Sequence, residues 1–135
     1  MRRTTSGAGA VAGRTFAWTM VVATILLTSY GQLVLKWQAG IQAPPLFRFA
    51  ANWPPVLQML LRPWVISAFV AAFGASLCWM LALSRLELSR AYPFMALNFI
   101  AVSLVAVLLF GEALTTVKLI GLLVVVAGLV ILSQG

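Results

Sequence analysis

Apolar residues arrive in long unbroken blocks along this chain. Residues 16–35, 64–83, 91–110 and about 115–132 carry no formal charge apart from Lys118, near the start of the last block. Each is close to the ~20 residues that a helix needs to cross a hydrocarbon layer roughly 30 Å thick. None alternates with the period of two that marks a barrel strand, and backbone groups in lipid must be satisfied within their own segment. The blocks therefore predict four transmembrane helices. Lys118 lies close enough to a helix end to snorkel its ammonium to the headgroups.

The connections refine this pattern. Residues 84–90 and 111–114 are short links, so the helices that they join are antiparallel neighbours. The predicted fold is all-α and integral to the membrane, a four-transmembrane-helix up-down bundle forming a single domain. Residues 38–63 contain two Pro-Pro pairs, Pro44-Pro45 and Pro54-Pro55, which break a continuous helix, while Phe47, Phe49, Trp53 and Trp64 suit a membrane interface. This segment is expected to lie along the bilayer surface, with room for a short helical turn. Residues 1–14, rich in Gly, Ala, Ser and Thr with Arg2, Arg3 and Arg14, are expected to form a flexible cytoplasmic arm.

Composition agrees with a lipid solvent: 63% of the 135 residues are hydrophobic, and the mean hydropathy is +1.07, far above what a soluble core requires. The first block is too long for a secretory h-region and ends in Gln32 and Lys36 instead of a small-residue cleavage site, so it is expected to be retained. A net charge of +7 raises the question of nucleic acid. The basic residues are scattered and flank the spans, which fits anionic lipid headgroups and not a nucleic-acid partner. With the N-terminus inside, Arg2, Arg3, Arg14, Arg85 and Arg90 face the cytoplasm, against Lys36, Arg48, Arg62 and Lys118 outside. That small excess favours N-in and C-in, and mixed insertion stays open.

The inventory of reactive groups is short. Histidine is absent, the lone cysteine, Cys78, lies inside the second span, and the acids are only Glu87 and Glu112, both in connections. Such a set provides no metal site and no acid–base pair, and no phosphate-binding G-x-x-x-x-G-K-[ST] pattern occurs. No enzymatic activity, metal or cofactor is expected. A transporter or channel subunit leads.

Within the spans, Thr28, Gln32 and Lys36 fall at i, i+4 and i+8 with Ser29 beside them, which makes one face of the first helix polar over two turns. Gln32 joining helices and Lys36 anchoring a helix end is one reading; a polar groove ending in a cation that receives a phosphate is the other. In the third span Asn98 is the one strongly polar residue, with Ser103 deeper and Tyr92-Pro93 at the entrance. On a straight helix Asn98 and Tyr92 lie about a third of a turn apart, so spacing alone does not assign them to one face. Small residues recur at Ala68, Ala72 and Ser76, with Ala71 and Ala75, in the second span, and at Gly121 and Gly128 in the fourth. They allow close helix contact, within one chain for the second span or across a dimer seam for the fourth.

Arg90 to Gly135 is similar to the small multidrug resistance branch of the drug/metabolite transporter superfamily, and within it to subunits of the aminoarabinose-phosphoundecaprenol flippase. Ala91-Tyr92-Pro93, Leu97-Asn98-Phe99, Glu112, Gly121, Gly128 and Ile131-Leu132 carry the resemblance, joined by Gly31-Gln32-Leu33 and Lys36 in the first helix. Drug exporters of the branch carry a cation-binding glutamate two turns before the lysine, where this chain has Thr28. They also have a third-helix glycine pair that is missing around Leu97-Asn98. Both departures speak against cation export, the alternative function; a non-transporting membrane assembly subunit is the other alternative.

The resemblance implies a flippase subunit in a bacterial inner membrane. It would work as a homodimer or as a heterodimer with a paralogous four-helix subunit, moving a polyprenyl-phosphate-linked monosaccharide such as an aminoarabinose lipid. In that expectation Lys36 offsets the phosphate charge, Gln32 and Asn98 donate hydrogen bonds, Tyr92 contacts the sugar, and Arg85 and Arg90 draw the anion to the cytoplasmic entrance. Glu112 is expected to be a structural partner for Lys118 or for backbone.

Overall fold

The computed structural model describes residues 6–41, 44–45 and 47–134; Arg2, Arg3 and Gly135 lie outside them. Among the described residues, four stretches are long and apolar enough to cross a membrane, 7–39, 63–83, 88–110 and 116–133. In chain order the helices are α1 (Ser6–Ala39), α2 (Pro55–Leu60), α3 (Pro63–Leu83), α4 (Leu88–Met95), α5 (Leu97–Phe110) and α6 (Thr116–Ser133). The third crossing is thus made of α4 followed by α5.

Two boundaries differ from the sequence expectation. The residues from Ser6 to Arg14, read as part of a flexible arm, continue α1. Ala8, Ala10 and Ala12 are strong helix formers, and the long apolar span supplies the nucleus that they extend. The third span breaks at Ala96. Pro93 has no N–H to give the preceding turn, and the Ala96 N–H bonds to the Pro93 carbonyl at 3.1 Å, a tightened three-residue turn.

Among its described residues, the segment 38–63 contains a 3-10 turn at Arg48–Ala50 and the short α2. Phe47 stacks on Phe49 with centroids 5.3 Å apart, and Phe49 meets Trp53 edge-on at 5.8 Å. Arg62 closes the segment against the end of α1, donating from Nη1 to the Gln38 and Ile41 carbonyls and to Gln38 Oε1 at 3.2–3.3 Å. The Gln38 carbonyl, which also accepts from the Ile41 N–H at 3.2 Å, lies in the last turn of α1, and Ile41 lies just beyond it, where a cation is favoured.

Helices in lipid gain no hydrophobic free energy by touching one another, so contact depends on close fit. The closest fit here is between α1 and α3. Ala17, Val21 and Thr24 of α1 are buried with Val65, Ala68, Ala71, Ala75 and Ala82 of α3. A Cβ on Gly31 would lie 3.2 Å from the Ala68 carbonyl oxygen. Thr24 Oγ1 bonds its own helix at the Met20 carbonyl, 2.8 Å, and reaches the Ala75 carbonyl at 3.4 Å. Ala68, Ala71 and Ala75 therefore serve the monomer, while Ala72 and Ser76 of the same run face outward.

On its other side α1 packs against α4 and α5, and Trp18 meets Phe94 edge-on at 4.6 Å. By contrast, α6 rests mainly on α4 and has no buried residue. Among the described residues, nothing lies within 4 Å of a Cβ placed on Gly121 or Gly128.

Candidate functional site

The gap between α1 and the α4–α6 side of the bundle holds an open cavity of about 760 Å³. Thr28 and Gln32 line it from α1, Trp79 from α3, Tyr92 from α4, Asn98 and Phe99 from α5, and Leu129 and Leu132 from α6. The i, i+4 spacing of Thr28 and Gln32 places both on the cavity side of α1. Tyr92 and Asn98, separated in angle on a straight helix, reach the same cavity across the break at Ala96. Trp79 joins them, with its ring 6.2 Å from that of Tyr92.

Asn98 is buried, at 7% exposure. Its Oδ1 accepts a 2.7 Å hydrogen bond from Ser29 Oγ, which ties α5 to α1 at the cavity wall. Asn98 also lines the cavity.

A second opening of about 710 Å³ shares Ser89, Pro93 and Leu132 with the first and has Glu87 and Arg90 on its wall. Arg90 Nε pairs with Glu87 at 3.3 Å across one helical turn, both side chains largely exposed. Arg85 does not line either opening. The short 84–87 link turns it back over the N-terminal part of α1, where a Cβ on Gly13 would meet its guanidinium at 2.8 Å. A smaller apolar crevice of about 200 Å³, lined by Phe94, Leu97, Val126 and Val130, shares Pro93 and Leu129 with the main cavity.

Lys36 continues the Thr28–Gln32 line one turn further along α1 but does not line the main cavity. It pairs with Glu112 in the link between α5 and α6, Nζ to Oε1 2.6 Å, and Lys118 Nζ stands 4.0 Å from Oε2 of the same carboxylate. Gly111 sets this arrangement up. Its φ of +63° ends α5 in the left-handed region, which costs a residue with a side chain about 1–2 kcal/mol. Thr115 then caps α6, accepting from the Lys118 N–H at 3.3 Å. The hydrogen bond from Lys36, followed by its charge, holds the Glu112 carboxyl below the ordinary carboxylate range; partial desolvation opposes this, and Lys118 adds a smaller pull. The expected Lys118 contact is present, but the main partner of Glu112 is Lys36.

The structure thus brings together Gln32, Tyr92 and Asn98 of the anticipated residues, puts Arg90 at the neighbouring opening, engages Lys36 with Glu112, and leaves Arg85 aside. Thr28 and Trp79 complete the polar wall. Trp79 carried no signal in the sequence, since an aromatic residue in an apolar run reads equally well as lipid-facing.

The chain is a multi-pass membrane protein whose spans enclose a largely apolar cavity with a few hydrogen-bonding groups on its wall. The sequence matches the EamA-like transporter family over residues 7–134, and the chain belongs to that family. It is 37% identical over 120 residues to a probable 4-amino-4-deoxy-L-arabinose-phosphoundecaprenol flippase subunit ArnE of Pseudomonas aeruginosa (strain UCBPP-PA14), covering 85% of this chain and 95% of that protein. It is 34% identical over 128 residues to a probable subunit ArnF of the same kind of flippase from Serratia proteamaculans (strain 568), covering 90% and 93%. A further probable ArnF, from Erwinia tasmaniensis, is 38% identical over 112 residues, covering 81% of this chain and 87% of that protein. No solved structure matches the chain.

Proposed function

We propose that the chain is one subunit of a flippase that carries a polyprenyl-phosphate-linked aminosugar across a bacterial inner membrane, paired with a paralogous four-helix subunit. The observation that carries this reading is the cavity between the spans. It gathers Gln32, Tyr92 and Asn98 with Thr28 and Trp79, a set of hydrogen-bonding and aromatic groups suited to a hydroxyl-rich sugar. The relatives are named as flippase subunits for a lipid of this class, and they include both subunit types.

The prenyl tail stays in lipid while the sugar phosphate alone needs shelter. An unshielded charge at mid-membrane costs at least ~2.5–3.5 kcal/mol on insertion scales. Gln32 and the Asn98 amide provide hydrogen bonds to replace water, Tyr92 meets the sugar, and Arg90 attracts the anion at the cytoplasmic mouth. The apolar crevice beside Phe94 and Val126 accommodates the first part of the prenyl chain. Lys36, one turn beyond Gln32, offsets the phosphate charge at the far end. A singly anionic headgroup moving outward gains ~2.3 kcal/mol per 100 mV with the interior negative. An amine on the sugar cancels that term, leaving consumption of the lipid outside to drive the process.

Export of small organic cations is disfavoured by the absence of a carboxylate from the spans: the chain's two acids, Glu87 and Glu112, both lie in links between helices. The test is reconstitution of the chain with its paralogous partner in proteoliposomes loaded with a polyprenyl-phosphate aminosugar. Labelling by a membrane-impermeant amine reagent reports the headgroup. The expected result is partner-dependent translocation that Gln32→Leu and Asn98→Leu abolish without loss of membrane insertion. Uptake of a quaternary ammonium dye with no movement of the sugar lipid would overturn the reading.

A further inference from the structure

We propose that Lys36 and Lys118 form a phosphodiester site at the link end of the bundle, with the Glu112 carboxylate as a tethered counter-ion that the substrate phosphate displaces. The proposal rests on the flippase reading above and adds to it a second cation, an occupant in the empty state and a means of release.

The two oxygens of Glu112 address different lysines, Oε1 to Lys36 at 2.6 Å and Oε2 to Lys118 at 4.0 Å. A phosphodiester offers the same feature, one negative charge shared by two non-bridging oxygens that can each take an ammonium. Charge counting points the same way. Two lysines and one carboxylate leave an excess of one positive charge, which draws a monoanion toward the cluster.

Exposure decides between a fixed strut and an exchangeable partner. The side chains are 58% exposed at Lys36, 57% at Lys118 and 33% at Glu112. Pairs this open to water are weak, as displacement by a competing anion requires. The position is suitable, because Thr28, Gln32 and Lys36 rise along one face of α1, the first two on the cavity wall. An anion that leaves Gln32 meets Lys36 one turn later.

The tether is short and hinged. Glu112 follows Gly111, whose left-handed φ of +63° meets no neighbour, and it precedes α6, the helix with no buried residue. Release of Glu112 from Lys36 detaches the α5–α6 link from α1 and frees the least anchored span. When the anion departs outward, the carboxylate reoccupies Lys36 and competes with its return. The Lys36 interaction that lowers the Glu112 pKa gives the exchange a spectroscopic signature.

The chain has only two glutamates, so [δ-13C]glutamate labelling of the full chain with its unlabelled partner in nanodiscs yields two carboxyl resonances. Loss of one in Glu112→Gln assigns it. In the empty protein Glu112 is expected to titrate below the ordinary carboxylate range, and saturation with a polyprenyl-phosphate sugar is expected to move its midpoint upward. In Lys36→Gln the midpoint starts higher and lipid does not move it. Dimethyl phosphate serves as the free phosphodiester: movement with it shows a site that reads the phosphodiester alone, and movement only with the lipid shows one that needs the membrane-tethered form. Both results support the site.

Glu112→Asp separates displacement from a simple field effect, since it keeps the charge but shortens the reach to Lys36. Displacement predicts that Glu112→Asp and Glu112→Gln both bind the lipid more tightly than wild type, by about two- to fivefold, the factor to which the strength of an exposed pair converts. Tighter binding by Glu112→Gln alone overturns the proposal. Lipid binding that depends on Lys36 but leaves the Glu112 midpoint unmoved overturns the exchange while the flippase reading stands. Failure of the wild-type complex to bind the lipid removes both.

Discussion

The two sides of this molecule are built to different standards. Where α1 meets α3, alanines and Gly31 bring the backbones close enough that a single added carbon crowds a carbonyl at 3.2 Å. Where α6 lies beside α4, no residue of α6 is buried, and a Cβ on either of its glycines would meet nothing among the described residues. One side is a finished scaffold that fixes the α1 face carrying Thr28, Gln32 and Lys36. The other is a wall of the cavity that is free to adjust, and it presents an apolar, small-residue surface to lipid or to a second subunit. Rigidity sits behind the polar ladder, and compliance sits opposite it.

The sharpest way to break this contrast is to put the same side chain on both halves. Gly31→Leu drives a branched side chain into the Ala68 backbone and is expected to destabilise the monomer by about 1–3 kcal/mol, the usual cost of overpacking. Gly121→Leu meets open space within the chain, so its folding stability should stay near wild type while association with the partner weakens. Denaturant titration in detergent micelles, paired with a crosslinking assay, measures both. Equal loss of stability for the two variants would show that α6 is as tightly packed as α1.

A smaller effect is expected at the hinge between the halves. Gly111→Ala has room for its Cβ, so its cost is conformational alone, about 1–2 kcal/mol for the left-handed backbone. The same titration reads it, with faster hydrogen exchange confined to residues 111–118. Smaller still is the single side-chain hydrogen bond between α1 and α5. Ser29→Ala should cost close to the ~0.6 kcal/mol average for interhelical hydrogen bonds in membrane proteins. A larger loss would make the Ser29–Asn98 contact a structural keystone and not merely a way of orienting the Asn98 amide.

Much of the tight half was legible in the sequence. Block length and polarity located four spans, and four-residue steps of small side chains marked α3 as a close-contact helix. Which face of that run is used was not legible, because Ala68, Ala71 and Ala75 differ from Ala72 and Ser76 only in what α1 puts against them. The helical start of α1 was obscured by Gly7, Gly9 and Gly13, whose low propensity is outweighed by continuity with the span. Tyr92 and Asn98 could not be joined by periodicity, since the break at Ala96 resets the helical angle between them. The partner of Lys36 was within reach of the topology: an up-down bundle puts residue 36 and the 111–114 link at the same end, and Glu112 is the one acid there. The sequence reading reserves Lys36 for a ligand, whereas in the structure its charge is met locally by Glu112.

The Lys36–Glu112 contact also makes a modest pH dependence. The carboxyl is held below its ordinary value of 4.5, so the folded state binds the proton less readily than the unfolded one. Its stabilising contribution is present above that value and is lost as pH falls through the depressed pKa. Lys36→Gln should flatten stability against pH in that acidic window and leave the neutral region almost unchanged, as followed by thermal unfolding. A wild-type slope retained in the variant would assign the depression to another group.

The central claim is that a polar line along α1, ending in a cation, carries a phosphate-linked headgroup across the membrane. It is tested most directly by transport of the sugar lipid in proteoliposomes containing wild type, Lys36→Gln or Lys36→Arg, each with its partner and at matched insertion. The Gln variant keeps hydrogen bonding without charge, and the Arg variant keeps the charge. Lys36 is 58% exposed, so losing its countercharge is expected to cost about 1 kcal/mol at most, a loss of roughly two- to fivefold, as for exposed ion pairs. The account predicts that loss for Lys36→Gln and a measurable share of wild-type transport for Lys36→Arg. Equal transport by wild type and Lys36→Gln would contradict it and reduce Lys36 to an anchor for the end of α1.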